Sequence, residues 1–408
     1  MIRLAHISDS HFDERGRLED VVAVHRAFLE QAKAAGVDLI VHAGDWFERR
    51  STPLERLAVA NFLEDASEIA PVFGVKGNHD VHLDLSLFPR LDARHEVAIA
   101  DRPTATPGSA EVWKLSGGRS VGLLALPWFD KAHLVAGLDA TTDAGMTREL
   151  TIEAARELLT CLRAEATRLR KTGAVPILVS HVLVGGSEVS TGQVLIGTTV
   201  ELAPSDLLDV GAAYAALGHV HKAQEWHGGR VAYSGSPHRC NYGEPEAKGW
   251  RLVTLEDDGR FVSNEFMELP ARRIVLLEAD WTGDGAKKLR ESGANAVCWG
   301  LGTSGWRNED LDGALVRFRY HVAPQDLHLV PVEAFEKVLL ADGAHEVQLE
   351  CVIEAETRVR AGEIVLARST AEKVDAYLSA KQIEIDAATR VRVHAKLAEI
   401  EGGAHAAA

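Results

Sequence analysis

The first part of the chain alternates short apolar runs with segments in which apolar residues recur at helical spacing. The apolar runs predict buried strands at residues 2–8, 37–43 and 70–76. The helical spacing predicts helices at residues 18–35 and 53–69. A succession of strand, helix, strand, helix and strand is typical of an α/β sheet that is covered by helices.

The same alternation continues further along the chain. Strands are predicted at residues 120–126, 175–180 and 212–217, and a long helix rich in Arg and Glu is predicted at 147–172. Residues 249–267 alternate between apolar and polar side chains, as in a β-ribbon that closes a sheet. These elements indicate one α/β domain in the first two thirds of the chain.

The character of the chain changes near Pro270, where strands and helices follow one another roughly as β-α-β-α-β. From Thr370 to Ile400 the pattern predicts two amphipathic helices, parted near residues 383–386. The predicted domains are an α/β domain at 1–268, an α+β capping domain at 269–365, C-terminal helices at 366–401 and a disordered tail at 402–408.

Composition narrows the class of protein. A chain of 408 residues is long enough for two or three domains. Its formal net charge of -16 argues against passive binding of nucleic acid through a basic surface, although bound divalent cations can supply positive charge locally. The start of the chain lacks a signal-peptide pattern, and no apolar run approaches the ~18 residues of a membrane helix. Four widely spaced cysteines favour a reduced, cytoplasmic protein.

Polar side chains follow the carboxyl ends of the predicted strands, where α/β sheets place their ligand sites. They are carboxylates, imidazoles and one amide, which are ligands for Mn²⁺, Zn²⁺ or Fe²⁺. The set contains no cysteine, which disfavours a structural zinc site. Its members are Asp9, His11, Asp45, Asn78, His79, Asp80, His181, His219 and His221.

Each of these stretches has a simpler interpretation when it is taken alone. Asp-x-His after a strand is more often a turn than a pair of ligands, Gly-Asp is common, and His181 alone could be a core histidine. The ordered set is the specific signal. A site with two adjacent metals needs about seven protein ligands, and Asp45 is the natural bridge because a carboxylate has two oxygens.

The order of these motifs resembles the calcineurin-like metallophosphoesterase superfamily over about residues 1–265. The resemblance implies an α/β fold in which a metallophosphoesterase β-sandwich is flanked by helices, followed by a smaller α+β capping domain and C-terminal helices. The motifs are Asp9-x-His11, Gly44-Asp45, Gly77-Asn78-His79-Asp80, His181 and Gly218-His219-x-His221.

The resemblance also implies a role for each residue. His79 would stabilise the charge that develops on the phosphate and protonate the leaving oxygen, and Asp80 would orient His79. The implied cofactors are two Mn²⁺ ions, with Mg²⁺, Fe²⁺ or Zn²⁺ as alternatives. The first metal would be held by Asp9, His11, Asp45 and His221, and the second by Asp45, Asn78, His181 and His219.

Further motifs are similar to the SbcD-type subunits of DNA-repair exonucleases. They are the segments 216–224 and 233–237 and the sequence Glu244-x-Glu246-x-Lys248-Gly249. This resemblance implies a metal-dependent nuclease in DNA repair or recombination. It would act as a 3′-to-5′ exonuclease on duplex ends and as an endonuclease on single strands or hairpins, with a hydroxide activated by two metals. The implied partners are DNA, an SbcC-type coiled-coil ATPase bound by the C-terminal helices, and a second copy of the chain, paired through helices near residues 53–69.

Basic residues beside the motifs are candidates for contacts with DNA phosphates, although each alone is more simply a solvated charge. These candidates are Arg49, Arg50, Lys76, Lys222 and Arg239. Glu48 departs from the family pattern, because related nucleases often have His or Asp there. The loop Gly185–Thr199 has no predicted contacts.

Two alternatives stay open at this point. A small-molecule or nucleotide phosphodiesterase or phosphatase of the same superfamily is favoured by the acidic net charge. A metal-bound scaffold without catalytic function is disfavoured, because none of the expected ligands is missing. A comparison of bis-p-nitrophenyl phosphate with linear duplex DNA as substrates would discriminate a small-molecule enzyme from a nuclease.

Overall fold

The computed structural model describes residues 1–129, 144–190, 193, 201–292, 310–354, 367, 369–381 and 383–405. The chain divides into two compact units that are each discontinuous along the sequence. The larger unit is Met1–Val275 with Leu311–Arg317 and Leu340–Val347. The smaller unit is Leu276–Asp310, Phe318–Leu339 and Gln348–Ala408. In the part of the chain that is described, every helix is too short or too polar to cross a bilayer.

The strands and helices agree closely with the sequence pattern. The strands are β1 (Ile2–Ile7), β2 (Leu39–His42), β3 (Val72–Val75), β4 (Val97–Ala100), β5 (Glu111–Lys114), β6 (Ser120–Leu126), β7 (Val175–His181), β8 (Leu183–Val184), β9 (Glu201–Leu202), β10 (Tyr214–Gly218), β11 (Gln224–Trp226), β12 (Val231–Tyr233), β13 (Gly249–Leu255), β14 (Phe261–Glu268), β15 (Ile274–Trp281), β16 (Leu315–Val322) and β17 (Glu346–Ile353). The helices are α1 (Leu18–Ala35), α2 (Pro53–Ser67), α3 (His82–Leu85), α4 (Ala144–Lys171), α5 (Pro204–Asp209), α6 (Gly283–Ser292), α7 (Val332–Ala341), α8 (Thr370–Ala380) and α9 (Ala387–His405).

The first six-stranded sheet has the order β14-β13-β1-β2-β3-β4. Strands β1 to β4 run parallel, and β13 and β14 extend the sheet beyond β1 as an antiparallel ribbon. Ile7 pairs with His42, and His42 pairs with Gly74. The carboxyl ends of β1, β2 and β3 therefore lie side by side.

The second six-stranded sheet has the order β11-β12-β10-β7-β6-β5. Its four central strands are parallel, and an antiparallel strand closes each edge. Gly218 pairs with His181, so the carboxyl ends of β10 and β7 also coincide.

Three hydrophobic clusters show that the two sheets pack face to face between layers of helices. The central cluster joins side chains of both sheets, such as Val41 and Ile177. Phe28 of α1 and Phe62 of α2 pack on the outer face of the first sheet, and Leu162 of α4 packs on the second. This arrangement of helix, sheet, sheet and helix confirms the predicted sandwich.

Local sequence signals fix the ends of the first two helices. Gly36 ends α1 in the left-handed conformation, with φ of 63°, which glycine adopts without steric cost. Thr52 and Glu55 form a capping box at the start of α2, because each side chain accepts a hydrogen bond from the other residue's backbone N–H. Pro53 is the first residue of α2, where its missing N–H costs nothing.

The strands β15, β16 and β17 form a separate three-stranded sheet. Trp281 of β15 and Phe318 of β16 pack against Phe335 of α7, with the rings of Trp281 and Phe335 stacked at 5.2 Å. Further along the chain, the predicted break at residues 383–386 falls between α8 and α9. Helix α9 continues to His405, into the segment for which the sequence predicts disorder, and residues 406–408 lie outside the described residues.

Candidate metal centre

The predicted ligands lie at the carboxyl ends of parallel strands of both sheets. Because the two sheets pack face to face, these ends meet at one edge of the sandwich. The ligands are Asp9 and His11 after β1, Asp45 after β2, Asn78 after β3, His181 at the end of β7, and His219 and His221 after β10.

The backbone is strained where it carries these side chains. Four of the five described non-glycine residues with positive φ belong to the set, and a positive φ is unfavourable for residues with a Cβ atom. Such strain is found mainly at functional sites, where the surrounding structure imposes it. The four are Asp9 (φ 54°), His11 (φ 43°), Asp45 (φ 56°) and His219 (φ 110°).

Backbone contacts hold the strained loops in place. The amide of Asp9 donates to the carbonyl of Gly44 at 2.9 Å, and the amide of His11 donates to the carbonyl of Asp45 at 3.2 Å. Gly77 permits the close approach of the third loop, because a Cβ atom there would lie 2.1 Å from Oδ1 of Asp45. The three loops therefore form one tightly packed unit.

One half of the centre is built on Asn78 and His181. Nε2 of His181 lies 2.9 Å from Oδ1 of Asn78 and 3.3 Å from Oδ2 of Asp45. Nδ1 of His219 lies 2.8 Å from the same Asn78 oxygen. The carbonyl of Ala43 accepts a hydrogen bond from Nδ1 of His181 at 2.7 Å, which leaves Nε2 of neutral His181 without a proton.

The other half is built on His11 and His221, whose Nε2 atoms face each other at 3.1 Å. Nε2 of His11 also lies 3.8 Å from Oδ2 of Asp45. The same carboxylate oxygen is thus close to histidines of both halves. The carboxylate of Asp9 accepts from the amide of His219 at 2.9 Å, which ties the ends of β1 and β10 together.

The charges of the centre compensate one another. Burial opposes ionisation of Asp45, but the adjacent His181 and His11 outweigh it and hold the Asp45 pKa well below its ordinary value. Burial lowers the pKa of His11, yet Cys240 and Glu48 outweigh burial and raise this pKa to about 9. Bound cations would have to displace such protons, so metal affinity should fall as pH falls.

The arrangement fits divalent metal ions. In each half, lone pairs of nitrogen and oxygen atoms converge at distances that only a proton or a cation can make favourable. Nε2 of His219 is buried and has no hydrogen-bond partner among the described residues. Three of the predicted ligands, Asp9, His11 and Asp45, bring ligand atoms within 4.8 Å of one another, as do Asp45, His181 and His219.

Comparison with known proteins agrees with this geometry. Residues 2–223, which are more than half of the chain, match the family described as calcineurin-like phosphoesterase. The chain belongs to the calcineurin-like phosphoesterase family. This membership confirms the resemblance that the order of the motifs indicates.

Two similar proteins are each named as the D subunit of the nuclease SbcCD. The protein of Bacillus subtilis (strain 168) is 31% identical over 272 residues, which cover 63% of this chain and 66% of that protein. The protein of Rhodobacter capsulatus is 29% identical over 256 residues, 58% of this chain and 62% of that protein. The chain thus matches less than two thirds of either relative's length. A solved structure of TT1561 of Thermus thermophilus aligns with a TM-score of 0.36 and 12% identity over 65% of this chain and 98% of that one, a similarity too low to bear on function.

His79 and Asp80 are neighbours in the sequence but have different surroundings in the structure. His79 lines the cavity of the site, with its Nδ1 2.6 Å from the carbonyl oxygen of Glu48. The Asp80 carboxylate instead accepts from the amides of Trp46 (2.9 Å), Phe47 (3.0 Å) and Gly77 (2.8 Å). The expectation that Asp80 orients the imidazole of His79 is therefore wrong, because backbone donors already occupy both oxygens.

The phosphoesterase site also contains residues that the sequence pattern does not identify. Cys240 brings its sulfur within 4.8 Å of ring nitrogens of His11 and His221, although in the sequence it is one of four distant cysteines. Burial raises the pKa of its thiol, but His221 and His238 outweigh burial and lower this pKa to about 5. The sequence feature that could have identified Cys240 is its position, three residues after the end of the motif 233–237.

Three other side chains contact the ligands. Glu48, which departs from the family pattern, lies with its Oε2 2.8 Å from Nδ1 of His11. Gln193, in the loop without predicted contacts, donates through Nε2 to the carbonyl of His219 at 2.7 Å. The ring of Trp128 stacks on that of His219 at 4.9 Å. Most of the loop, at 191–192 and 194–199, lies outside the described residues.

The five basic candidates differ in their surroundings. Arg49 lines the cavity of about 370 Å³ at the phosphoesterase site and forms an ion pair with Asp13. Lys222 forms an ion pair with Glu188. Arg239 is half-buried and donates to four backbone carbonyls, those of Glu244, Glu246, Ala271 and Arg272. Lys76 is half-buried, and Arg50 is exposed.

The surroundings of Arg239 correct its predicted role. A guanidinium that already donates to four carbonyls holds the backbone together, and it has little capacity left for a DNA phosphate. Arg17, which is absent from the predicted set, lines the same cavity as Arg49 and is the better candidate for a contact with substrate.

Proposed function

We propose that this protein is a metal-dependent DNA nuclease that hydrolyses phosphodiester bonds. The observation that carries the proposal is the convergence of seven predicted ligands at the strand ends of both sheets, where five of them line one cavity. The calcineurin-like phosphoesterase match and the two relatives named as SbcCD nuclease subunits give independent support. Nuclease activity and DNA as the substrate are assigned here by similarity to those relatives.

Two divalent ions would be held by the side chains that the sequence pattern selects. The first would take Asp9, His11, Asp45 and His221, and the second Asp45, Asn78, His181 and His219. Mn²⁺ is our first choice, with Mg²⁺, Fe²⁺ and Zn²⁺ as alternatives, because the donors are oxygen and imidazole atoms. Such a pair of ions supplies positive charge to the scissile phosphate and activates a water for in-line attack.

His79 is the proton donor in this proposal. Its backbone N–H donates to Oδ1 of Asp45 at 2.9 Å, which fixes the residue beside the predicted bridge. A carbonyl oxygen can only accept, so the contact with Glu48 requires that Nδ1 of His79 carries a proton. Nε2 is then the atom that can hold and release a proton, and protonated His79 would give it to the leaving oxygen.

In this proposal, Asp80 stabilises the loops that carry Asp45 and His79. The hydrogen bonds from Trp46 and Phe47 join the loop after β2 to the loop after β3, and the one from Gly77 lies within the loop after β3. Burial and the charge of Asp45 raise the pKa of Asp80 to about 6. Asp80 would thus hold Asp45 and His79 at a fixed separation.

The substrate and partners follow from the SbcD-type relatives. We propose 3′-to-5′ exonuclease activity on duplex ends and endonuclease activity on single strands or hairpins, in DNA repair or recombination in the cytoplasm. An SbcC-type ATPase would bind α8 and α9. A second copy would pair through α2, whose Leu54 (60%) and Leu57 (58%) are exposed.

The test is a nuclease assay with Mn²⁺ on end-labelled duplex and closed hairpin DNA. Wild type should cleave both substrates, and His79→Ala should lose at least about 100-fold in rate, since general acid catalysis contributes about 10²–10⁴-fold. His82→Ala, which removes an exposed histidine in α3, is the matched control and should keep the rate. Hydrolysis of bis-p-nitrophenyl phosphate without cleavage of DNA would instead assign a small-molecule phosphodiesterase.

A further inference from the structure

The predicted ligand His221 contacts a fully buried carboxylate through its ring nitrogen Nδ1. Oε1 of Glu244 lies 2.8 Å from Nδ1 of His221, and Glu244 is 0% exposed. An ionised carboxylate can only accept, so His221 donates its Nδ1–H. Nε2 of His221 is then left as the ligand atom, and it faces Nε2 of His11. Glu244 therefore fixes both the tautomer and the direction of the ring.

A buried lysine completes this arrangement. Nζ of Lys248 lies 2.8 Å from Oε2 of Glu244, and Lys248 is 1% exposed. The same ammonium donates to Oγ of Ser236 at 3.0 Å and to the carbonyl of His221 at 3.2 Å. Buried charges persist only when they are paired and hydrogen-bonded, as both charges are here. Lys248 thus holds the carboxylate of Glu244 in place next to His221.

The other half of the centre is built differently. Nδ1 of His181 donates to the neutral carbonyl of Ala43. A carboxylate partner makes an imidazole a stronger metal ligand than a carbonyl partner does. The two halves therefore differ in the group that accepts the Nδ1 proton, which is a backbone carbonyl at His181 and a carboxylate at His221.

We propose that Glu244 is a positioning residue that orients His221 and strengthens it as a metal ligand, with Lys248 holding Glu244 in place. The inference rests on the proposed metal site. It assigns a role to the segment Glu244–Lys248, and it predicts that the metal position next to His11 and His221 depends on Glu244 whereas the position next to His181 does not.

A purely structural role for Glu244 is the competing explanation. Oε2 of Glu244 also accepts from the amide of Cys240 at 2.9 Å, and Oε1 accepts from Nδ2 of Asn241 at 2.8 Å. These contacts hold the same loop without involving His221. Asn241→Ala removes one of them and leaves the imidazole contact intact, so it is a matched control.

The experiment is calorimetric titration of the metal-free full chain with Mn²⁺. Glu244→Gln should weaken one of the two binding steps by about 10–100-fold, the loss typical of partners behind a metal ligand. The second step should stay within about threefold of wild type. Asn241→Ala should leave both steps within about threefold. Unchanged affinity in folded Glu244→Gln, or an equal loss in Asn241→Ala, would overturn the proposal.

His221→Ala separates failure of this inference from failure of the proposed function. If His221→Ala leaves Mn²⁺ binding unchanged, the metal site itself is wrong. If His221→Ala weakens binding and Glu244→Gln does not, only the role of Glu244 is wrong. Lys248 also pairs with Glu246 at 2.9 Å, so it keeps one carboxylate partner in Glu244→Gln. Should Glu244→Gln still fail to fold, the double variant Glu244→Gln/Lys248→Met removes the charges of both residues and should show the same loss.

A spectroscopic measurement tests the contact directly. In the Zn²⁺-loaded protein, the Nδ1 proton of His221 should appear at low field in the proton NMR spectrum, since it is donated to a carboxylate. The resonance should vanish in His221→Ala, move upfield in Glu244→Gln and stay in place in Asn241→Ala. Absence of a low-field proton from His221 in wild type would contradict the hydrogen bond and the proposal.

Discussion

The strand-end loops of the larger unit and the three-stranded sheet of β15, β16 and β17 use the same residue types in different ways. In the sheet, Arg319 pairs with Glu350 at 3.0 Å, and His321 lies between Glu278 (3.0 Å) and Glu354 (2.9 Å). These groups are partly exposed and form pairs across neighbouring strands.

In the strand-end loops, acidic residues and histidines are buried and converge. Asp9 and His181 are both 0% exposed, and the backbone that carries Asp9 is strained. Residue type alone therefore does not separate a reactive centre from a surface ion pair. Burial, backbone strain and convergence on a cavity separate them, and the following predictions test that distinction.

The largest effect is expected at the predicted bridge between the metals. Asp45→Ala should lower the rate of Mn²⁺-dependent phosphodiester hydrolysis by roughly 10³-fold or more, because one oxygen of Asp45 lies close to histidines of both halves. This loss is larger than the loss of about 10–100-fold that is typical when a hydrogen-bond partner of a metal ligand is removed. Glu350→Ala removes a carboxylate from the three-stranded sheet. Its rate of hydrolysis should stay within about twofold of wild type, since a partly exposed ion pair contributes little to the stability of the fold. Steady-state kinetics on bis-p-nitrophenyl phosphate measures both, and an equal loss in the two variants would remove the distinction.

The packing of the loops should tolerate no added methyl group at Gly77. The Cβ atom of Gly77→Ala would lie 2.1 Å from Oδ1 of Asp45, so Asp45 or the loop has to move. We expect about 1–3 kcal/mol lower free energy of unfolding, together with loss of Mn²⁺ binding. Gly185→Ala is the control, because its Cβ atom would meet no neighbour closer than 3.5 Å. Urea unfolding compares the two variants, and equal stability would show that the loop has room.

The two regions should also differ in cysteine reactivity. Cys240 has a pKa of about 5, because His221 and His238 outweigh the effect of burial, so at pH 6 it is mostly thiolate. In the metal-free protein it should react with iodoacetamide about tenfold faster than a thiol of ordinary pKa. Cys351 on β17 is exposed and should still react more slowly. Peptide mass spectrometry gives both rates, and faster labelling of Cys351 would show that exposure outweighs the charges around Cys240.

A further prediction concerns acid stability. Burial lowers the pKa of His6 and of His25 from 6.5 to about 3, so the folded chain keeps them neutral while the unfolded chain protonates them. The free energy of unfolding should therefore fall by about 1.4 kcal/mol per pH unit for each histidine as the pH drops from 6.5 towards 3. His25→Gln should flatten this dependence.

His321 should respond in the opposite direction. Glu354 and Glu278 raise its pKa above 6.5, so its stabilisation is complete below pH 6.5 and is lost as the pH rises through the folded-state pKa. The side chain is partly exposed and its two carboxylate partners are more exposed still, which keeps the effect small. Urea unfolding between pH 5 and 8, after a chelator has removed any bound metal, measures how the free energy of unfolding depends on His25 and on His321. Equal slopes for wild type and His25→Gln would contradict the assignment.

Much of the architecture was predictable because the apolar residues that become buried recur in the sequence with the period of the element they form. The apolar runs that became β1, β2, β3 and β7 are buried on both faces, so they read as continuous rather than alternating. The polar residues that end these runs were equally visible, and their order along the chain, rather than any single stretch, indicated a metal site. The seven candidate ligands were assigned from this order through its resemblance to the family motifs.

Contacts between distant segments were not predictable in the same way. Asp80 is adjacent to His79 in the chain, yet its carboxylate turns to the backbone of Trp46 and Phe47. Cys240 is far from every other cysteine in sequence and close to His11 in space. Sequence spacing records neither of these facts, because they depend on how loops from separate strands pack.

The sequence by itself determined the succession of strands and helices and the residue types at the strand ends. The tertiary structure decided which atoms face one another, what lies behind each ligand and which charged groups are buried. The reason is physical: hydrophobic periodicity is a local property of one element, whereas hydrogen-bond direction and charge pairing are set by side chains that come together only when both sheets pack.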